Sequence, residues 1–176
     1  MKILHIFDHS IPLQSGYTFR SRAIIREQQK LGWETVHITS SKQGHVDSLT
    51  EVVDDLLFYR SEELPAWQKK IPVLNQWFVI KKLEKRLKEV IQQNRPDIIH
   101  AHSPALNGIA AIKIAAQFSI PVVYEIRGFW EDAAVDHGTS KENGLRYKLT
   151  RALETYVIKK ADAVITICDG LRKDII

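Results

Sequence analysis

The sequence predicts an α/β fold: a Rossmann-like open parallel sheet with helices on both faces. Three observations predict it. Six short apolar runs recur along the 176 residues, and several are apolar at consecutive positions, as strands covered on both faces are. Segments with helical periodicity lie between them. Strands that alternate with helices in this way form right-handed crossovers, and therefore a parallel sheet.

The six apolar runs are the predicted strands. In chain order they are KILHIF (2–7), TVHIT (35–39), LLFY (56–59), DIIHAH (97–102), PVVYEI (121–126) and AVITI (163–167). Open parallel sheets bind ligands in the crevice beyond the carboxyl ends of their strands. We therefore expect functional side chains in the loops that follow these strands.

Amphipathic segments are the predicted helices. They span residues 17–31, 73–94, 104–118 and 142–160. The first is followed by Gly32, and glycine is typical of the position just beyond a helix. The third begins at Ser103-Pro104, a favourable N-cap residue with proline in the first turn. A further helix begins near Asp169.

Length and composition indicate one domain that spans residues 1–176. An apolar content of 44% supports a sizeable core. The single cysteine, Cys168, excludes an intramolecular disulfide, as is usual in a reducing compartment, and we interpret it as a packing residue. The opening MKILHIF lacks the features of a signal peptide, and no run reaches the roughly 18 apolar residues of a spanning helix. We therefore expect a cytoplasmic protein.

Positive charge is concentrated in residues 69–88, which carry seven Lys/Arg against one Glu, together with Trp77 and Phe78. A basic segment with aromatic residues is typical of contact with an anionic surface, either nucleic acid or a membrane, but also of a solvated helix face. Both interpretations stay open at this point.

The loop after the first strand carries a single glycine. A dinucleotide-binding protein would show G-x-G-x-x-G there and a phosphate-loop NTPase G-x-x-x-x-G-K-[ST], whereas this chain has only Ser15-Gly16. Both classes are therefore disfavoured. A lone glycine before a helix still lets a ligand approach the backbone, and the helix N-terminus presents free N–H groups to an anion. Arg20, in the first turn, either finds a partner or lines the crevice, and the alternative is an arginine that faces solvent.

His100 and His102 lie on one face of the fourth predicted strand, because side chains alternate along a strand. An H-x-H pair can bind a metal, but no further ligand is positioned by the sequence to complete a site, so we expect no metal. His102, at the strand's end, is the better candidate for an active-site donor or base. His5 and His37 are interpreted as core residues.

The loop after the fifth predicted strand is the richest in ionisable groups. They are Glu125, Arg127, Glu131, Asp132, Asp136 and His137. Glu125 lies within the strand, where an uncompensated charge is costly, so a partner such as an arginine is expected. A structural ion pair explains Glu125 and Arg127 as well as a site does. The density of ionisable groups favours a site.

Four blocks, taken in order, resemble the amino-terminal half of family 4 glycosyltransferases. They are DHSIPLQSGYTFRSRAI, IIHAHSPALNG, VVYEIRGFWEDAAVDHGT and LRYKLTRALETYVIKKADAVITIC. More narrowly, they resemble the bacterial branch associated with exosortase (PEP-CTERM) and extracellular polysaccharide gene clusters. The resemblance runs from Met1 to the end of the chain.

This resemblance implies one half of a B-type (GT-B) fold, in which two Rossmann-like domains face each other across a cleft. Members transfer a sugar from a nucleotide-sugar donor with retention of configuration, without a required metal or other cofactor. Their amino-terminal domain mainly receives the acceptor, here a glycan or lipid-linked acceptor in polysaccharide biosynthesis. Their carboxy-terminal domain, which we expect to be absent from this chain, holds most of the donor. The fragment alone is therefore expected to be inactive.

By position, the resemblance also implies site residues. Ser15 and Gly16 correspond to the glycine-containing loop near the donor phosphates, and Arg20 and Glu131 are expected in the same cleft.

His102 corresponds to the cleft histidine of the family's H-x-H block. Arg127 stands where many members have a catalytic histidine, so these two are the predicted catalytic residues. Family members often glycosylate lipid-linked acceptors at the membrane, which suggests an anionic membrane rather than nucleic acid as the partner of the basic segment. Its predicted contacts are Lys81, Lys82, Lys85 and Arg86.

Two other functions stay open from the sequence. A flavodoxin-like binding or signalling module of the receiver type would show an acidic cluster after the first strand and a lysine after the fifth, whereas this chain has Asp8-His9 and Arg127. A metal hydrolase that uses His100 and His102 would contain bound zinc or manganese.

Overall fold

A seven-stranded sheet forms the centre of the domain. The computed structural model describes residues 1–71, 73–130, 132, 138, 141 and 144–175. Within them the strand order is β3-β4-β2-β1-β5-β6-β7. The strands are Lys2–Phe7 (β1), Glu34–Thr39 (β2), Thr50–Val53 (β3), Leu56–Tyr59 (β4), Ile98–His102 (β5), Val122–Ile126 (β6) and Ala163–Thr166 (β7). The predicted Rossmann-like sheet is confirmed.

Helices alternate with these strands as predicted. They are Gly16–Lys30 (α1), Ala66–Lys69 (α2), Leu74–Asn94 (α3), Ala105–Phe118 (α4), Leu145–Lys160 (α5) and Asp169–Ile175 (α6). The predicted starts of α1, α3 and α4 differ from these by one residue, whereas the predicted start of α5 at 142 lies outside the described residues. No helix in the described ranges is both long and apolar enough to cross a membrane.

The sheet is mostly, rather than wholly, parallel. β3 and β4 pair antiparallel as a hairpin at one edge, whereas the other neighbours pair in parallel. β3 was missing from the predicted strands because its residues alternate between exposed and half-buried instead of forming an apolar run. The signal available in the sequence was the pair Asp54-Asp55, because aspartate tolerates positive φ. Both residues adopt it here (54° and 60°), as the central residues of a type I′ hairpin turn do.

The two faces of the sheet differ in chemistry. On one face, Leu4, Ile6, Ile38 and Ile99 pack with α3, α4 and α5 to form the main core. Side chains at the alternate positions lie on the opposite face, which α1 covers. They include His5, His37, His100, His102 and Glu125, all of them buried. The main apolar core therefore lies on one side of the sheet. The functional candidates lie on the other, next to a smaller apolar cluster of Phe7, Ile25, Leu56 and Phe58.

The N-terminus of α4 is capped differently from the prediction. Ser103 is not the N-cap; its hydroxyl accepts a hydrogen bond from the Arg127 backbone N–H (3.1 Å). The Ala105 N–H donates instead to the carboxylate of Glu154 on α5 (3.0 Å). The Tyr124 hydroxyl donates to the same carboxylate (2.7 Å). Because a carboxylate is favourable at a helix N-terminus, this end of α4 is already occupied by the protein itself.

Gly108 allows α4 and α5 to approach closely. A Cβ at this position would lie 2.4 Å from Cγ1 of Val157 and 3.1 Å from the ring of Tyr124. Both neighbours are fully buried, and valine is stiff at χ1, so neither side chain has room to move aside. The glycine is therefore required by helix packing.

We expect Gly108→Ala to lower the free energy of unfolding by about 1–2 kcal/mol, because overpacking costs about 1–3 kcal/mol and the gain in helix propensity returns only about 1 kcal/mol. Urea denaturation followed by circular dichroism measures this loss. Adding Val157→Ala should restore part of it. A double variant that loses as much stability as the two single variants combined would contradict the close contact.

Candidate functional site

The candidate site lies at the carboxyl ends of β1, β5 and β6. β1 is central in the sheet, and the chain continues from it to β2 on one side and later to β5 on the other. Such a reversal opens a crevice beyond the strand ends, where open parallel sheets bind ligands. The first turn of α1 and the loops after β1, β5 and β6 border this crevice.

The loop between β1 and α1 is held by side chains from neighbouring strands. Arg60, fully buried just after β4, donates to Ser10 Oγ (2.6 Å) and to the Ile11 carbonyl (2.7 Å). The Gln43 side-chain amide brackets Ser10, accepting from its N–H at 2.8 Å and donating to its carbonyl at 3.3 Å. These bonds position the chain that leads into α1.

α1 begins with an open N-terminus at Gly16. Ser15 is the N-cap, its hydroxyl accepts from the Thr18 N–H (3.1 Å), and His9 Nε2 lies 3.0 Å from the same oxygen. A Cβ on Gly16 would meet no atom within 4 Å, and the glycine does not have positive φ. Within the described residues, neither packing nor backbone strain requires glycine here. The position leaves room for a ligand against free N–H groups.

Arg20 lies one turn further along α1 and reaches β6. Its Nε donates to Glu125 Oε1 (3.0 Å), while its side chain is 47% exposed. The sequence left open whether Arg20 finds a partner, lines the crevice or faces solvent. The structure combines these possibilities, since the guanidinium has a buried partner and is also accessible.

Glu125 is a buried carboxylate surrounded by nitrogen atoms. Besides the bond from Arg20, its Oε1 accepts from Arg127 Nε (3.2 Å), and its Oε2 lies 2.9 Å from His102 Nδ1 and 3.2 Å from His100 Nε2. Burial raises the pKa of Glu125, but His100, His102 and Arg127 outweigh burial and hold that pKa well below its usual range. The expected arginine partner of Glu125 is confirmed, and there are two.

Arg127 is buried beneath α1, with only 6% of its side chain exposed. Its guanidinium donates to the Tyr17 carbonyl (3.0 Å) and to Ser21 Oγ (2.7 Å), and it lies 4.3 Å from the centre of the Tyr17 ring. Its Nη2 lies 2.7 Å from His102 Nδ1. Arg127 therefore fastens α1 to β6, and Arg20 is the more accessible of the two guanidinium groups. The catalytic role of Arg127 stays a prediction.

His102 is fully enclosed at the end of β5. Its Nδ1 faces Glu125 and Arg127, and its Nε2 lies 3.0 Å from His5 Nδ1. Burial, together with His100, lowers the pKa of His102 well below its usual value, so the ring is neutral at pH 7. In this arrangement His102 influences the crevice only through Glu125 and Arg127. Its predicted role as a donor or base stays a prediction.

Three histidines converge on this face of the sheet. His5, His100 and His102 each offer a nitrogen atom, and these atoms lie within 4.8 Å of one another. No third ligand was evident from the sequence, but β1 supplies His5, which pairs in register with His100. Nitrogens that share a zinc ion are roughly 3.4 Å apart, given bonds of about 2.0–2.1 Å. Here, however, His5 and His102 contact each other directly, and Arg127 lies against His102. Hydrogen bonds therefore explain the positions of these two histidines without a metal ion.

Part of the ionisable loop after β6 lies outside the described residues. Glu131, Asp136 and His137 belong to that part, so the predicted cleft role of Glu131 stays a prediction. Of the same group, Asp132 is described, and its carboxylate accepts a hydrogen bond from the Tyr147 hydroxyl (2.9 Å).

Polar residues of the site that were not predicted as site residues include His5, His9, Tyr17, Ser21 and Gln28. Tyr17, Ser21 and Gln28 contact Arg127 or His5 from α1. Their spacing of four and seven residues places all three on one face of a helix. A polar stripe on the helix face that packs against a sheet was therefore the signal available in the sequence.

The chain matches a known protein family. The model of the family described as "Glycosyl transferase 4-like domain" matches residues 15–176, which is most of the chain. The chain belongs to the glycosyl transferase 4-like domain family. Among curated protein sequences, none matches it well enough to count as a relative.

Solved structures share the fold of this glycosyl transferase 4-like domain but little of its sequence. Sucrose-phosphate synthase from Thermosynechococcus elongatus has a TM-score of 0.64 at 15% identity, over 98% of this chain and 79% of that one. UDP-N-acetylglucosamine 2-epimerase from Rickettsia bellii has a TM-score of 0.59 at 12% identity, over 99% of this chain and 41% of that one. MurG from Acinetobacter baumannii has a TM-score of 0.53 at 12% identity, over 94% of this chain and 40% of that one. The domain thus spans about two fifths of the last two chains.

The family match confirms a glycosyltransferase domain, and the shared fold confirms the Rossmann-like architecture predicted for one half of a B-type fold. At such low identity the structural neighbours show the fold alone, and their names include a synthase and an epimerase. Within the glycosyl transferase 4-like domain, α1 has an open N-terminus at the crevice, whereas Glu154 occupies that of α4.

We expect Glu125→Gln to cost about 3–5 kcal/mol in the free energy of unfolding, because it leaves Arg127 buried without a counter-charge. Arg20→Gln should cost at most about 1 kcal/mol, since Arg20 is half exposed and its loss leaves Glu125 paired with Arg127. Urea denaturation of both variants makes the comparison. Equal losses for the two variants would show that Glu125 does not organise the site.

Proposed function

We propose that this domain is the acceptor-side half of a retaining glycosyltransferase. The enzyme would move a hexose from a nucleotide-sugar donor to a glycan or lipid-linked acceptor in polysaccharide biosynthesis, in the branch associated with exosortase gene clusters. The observation that carries the proposal is the open first turn of α1, where Gly16 and the accessible Arg20 lie together at the crevice. Family membership favours this function over a flavodoxin-like module or a metal hydrolase.

In the proposed reaction, the bond between the anomeric carbon and the donor's terminal phosphate oxygen breaks. Negative charge then develops on the nucleoside diphosphate that leaves. Free N–H groups of Gly16 and Tyr17 and the guanidinium of Arg20 stabilise this charge. The acceptor hydroxyl bonds to the anomeric carbon on the face that the leaving group vacates, and its proton passes to the departing phosphate. No protein nucleophile is needed.

The buried groups behind Arg20 orient it for this role. Glu125 accepts from the Arg20 Nε and from the Arg127 Nε, and His102 lies against Arg127. We assign Glu125, Arg127 and His102 to positioning, and Arg20 to contact with the donor. A second domain in the complete enzyme would hold most of the donor, so residues 1–176 alone should give no turnover.

We expect Arg20→Gln in the complete gene product to lower kcat/KM for sugar transfer by about 100-fold, the usual effect of removing one donor to a developing negative charge. Labelled UDP-, GDP- and ADP-sugars, incubated with lipid-linked oligosaccharide acceptors, provide the assay. Arg22→Gln is the matched control, because Arg22 lies on the same helix but pairs with Asp54. No transfer from any donor by the complete product, or equal rates in both variants, would overturn the proposal.

The basic segment is largely neutralised within the domain. The pairs are Lys81 with Glu84 (3.0 Å), Lys82 with Glu62 (3.0 Å) and Arg86 with Glu89 (2.9 Å), whereas Lys85 is exposed. These contacts support the solvated-face interpretation for most of the charge. The four cations are therefore weaker candidates for a membrane contact than the sequence indicated.

We propose that an apolar patch beside these cations contacts an anionic membrane from the cytoplasmic side. Trp67 and Trp77 are 60% and 51% exposed, and Val73 and Leu74 lie exposed between them. The patch includes the start of α3, after β4, so it lies at the same edge of the sheet as the crevice. Exposed tryptophans next to lysines are typical of membrane-interface contacts. A lipid-linked acceptor would then be presented close to Arg20.

We expect the double variant Trp67→Ala/Trp77→Ala to bind vesicles of phosphatidylcholine and phosphatidylglycerol at least about tenfold more weakly, because each exposed ring contributes apolar area to the membrane contact. Sedimentation with vesicles measures the change. Trp33→Ala, which removes a partly exposed tryptophan just before β2, at the opposite edge, is the matched control. Unchanged binding of the double variant, or no binding of the wild type, would count against a membrane contact.

A further inference from the structure

A chain of side chains connects the outer part of α1 to the site. Gln28 Oε1 lies 2.7 Å from His5 Nε2, His5 Nδ1 lies 3.0 Å from His102 Nε2, and His102 Nδ1 lies 2.7 Å from Arg127 Nη2. We infer that Gln28 is a positioning residue: its carbonyl sets the tautomer of His102 and thereby anchors Arg127. The consequence for catalysis rests on the proposed function, whereas the tautomer itself does not.

Each ring in the chain carries one proton. Burial lowers the pKa of His5 well below its usual value, and the neighbouring His102 lowers it further. Burial has the same effect on the pKa of His102. A neutral imidazole has one N–H donor and one bare nitrogen that accepts. The hydrogen bonds along the chain therefore all point in one direction, and reversing one of them reverses the others.

With the Gln28 carbonyl facing His5, the direction follows step by step. The His5 Nε2–H donates to Gln28, so His5 Nδ1 is bare and accepts from the His102 Nε2–H. His102 Nδ1 is then bare and accepts from Arg127 Nη2. Three hydrogen bonds form, and one contact is unfavourable: the bare His102 Nδ1 lies 2.9 Å from Glu125 Oε2.

A hydrogen-bond donor at position 28 would reverse the chain. The His5 Nδ1–H would donate to His102, and the His102 Nδ1–H to Glu125 Oε2. Three hydrogen bonds would again form, and the one unfavourable contact would be the His102 N–H against the Arg127 guanidinium. Glu125 and Arg127 therefore favour neither direction clearly, because each direction has three hydrogen bonds and one unfavourable contact. The outer end decides the direction, because the Gln28 oxygen that faces His5 can only accept a hydrogen bond.

The direction of the chain matters for Arg127. In the first direction, His102 accepts from Nη2, and Arg127 stays fastened to α1, Glu125 and His102 together. In the reversed direction, Nη2 loses that acceptor, and Arg127 keeps only its bonds to Glu125 and, through Nη1, to Tyr17 and Ser21 among the described contacts. Gln28 is three turns of α1 away from Gly16, so it controls the site without contacting a ligand.

The wild-type chain tests this inference by nuclear magnetic resonance. Long-range correlations between ring protons and ¹⁵N in ¹⁵N-labelled protein distinguish a protonated ring nitrogen from a bare one. We expect His102 to be protonated on Nε2 and bare on Nδ1. Protonation on Nδ1 would overturn the inference. His102→Asn identifies the signal, and no donor or acceptor sugar is required, so failure here is distinct from failure of the transferase proposal.

Two substitutions at the outer end should act in opposite ways. Gln28→Glu presents only acceptors and should keep the wild-type pattern of His102, whereas Gln28→Lys presents only donors and should reverse it. Gln28 is half-buried, so neither change opens the core, and circular dichroism checks the fold. Gln29→Lys, at the exposed neighbouring position, is the matched control and should leave His102 unchanged. Identical His102 spectra for Gln28→Glu and Gln28→Lys would show that position 28 does not set the tautomer.

Discussion

The negative charge of Glu125, buried at the end of β6, is the constraint on which the site depends. Removing a carboxylate from water costs several kcal/mol unless charges and hydrogen bonds replace the lost solvation. Here the replacement comes from α1 through Arg20, from β6 through Arg127, and from β5 through His100. One charge therefore determines how a helix and two strands meet. Apolar contacts, which lack direction, could not specify that geometry.

The overall fold could be predicted because its signals are local. Apolar runs mark the parallel strands, and amphipathic stretches mark the helices between them. The hairpin strand β3 was not predicted, because an edge strand with one exposed face has no apolar run. Ser15, Gly16, Arg20 and His102 were assigned to strand ends or a helix start in the sequence, and a parallel sheet necessarily brings such positions to one edge.

The partners of those residues could not be predicted, because they depend on strand register and on distant parts of the chain. His5 joins the cluster only because β1 pairs with β5 so that it lies opposite His100. A slip of one residue would have placed it on the apolar face. Likewise, Lys82 is neutralised by Glu62 from a loop twenty residues earlier, which no helical spacing reveals. The catalytic roles of residues are even harder to predict from local sequence patterns, since they depend on a bound ligand.

The division of the sheet into an apolar and a polar face has a consequence for protein engineering. Side chains between the sheet and α3 or α4 can be exchanged for others of similar volume at modest cost, because packing tolerates many solutions. The buried polar groups beneath α1 allow far less freedom, since exchanging one of them leaves a donor or an acceptor of its neighbours unpaired and away from water. Directed evolution of this domain should therefore accumulate neutral changes on one side of the sheet. New specificity should come from the exposed rim, and the polar layer between α1 and the sheet should be left intact.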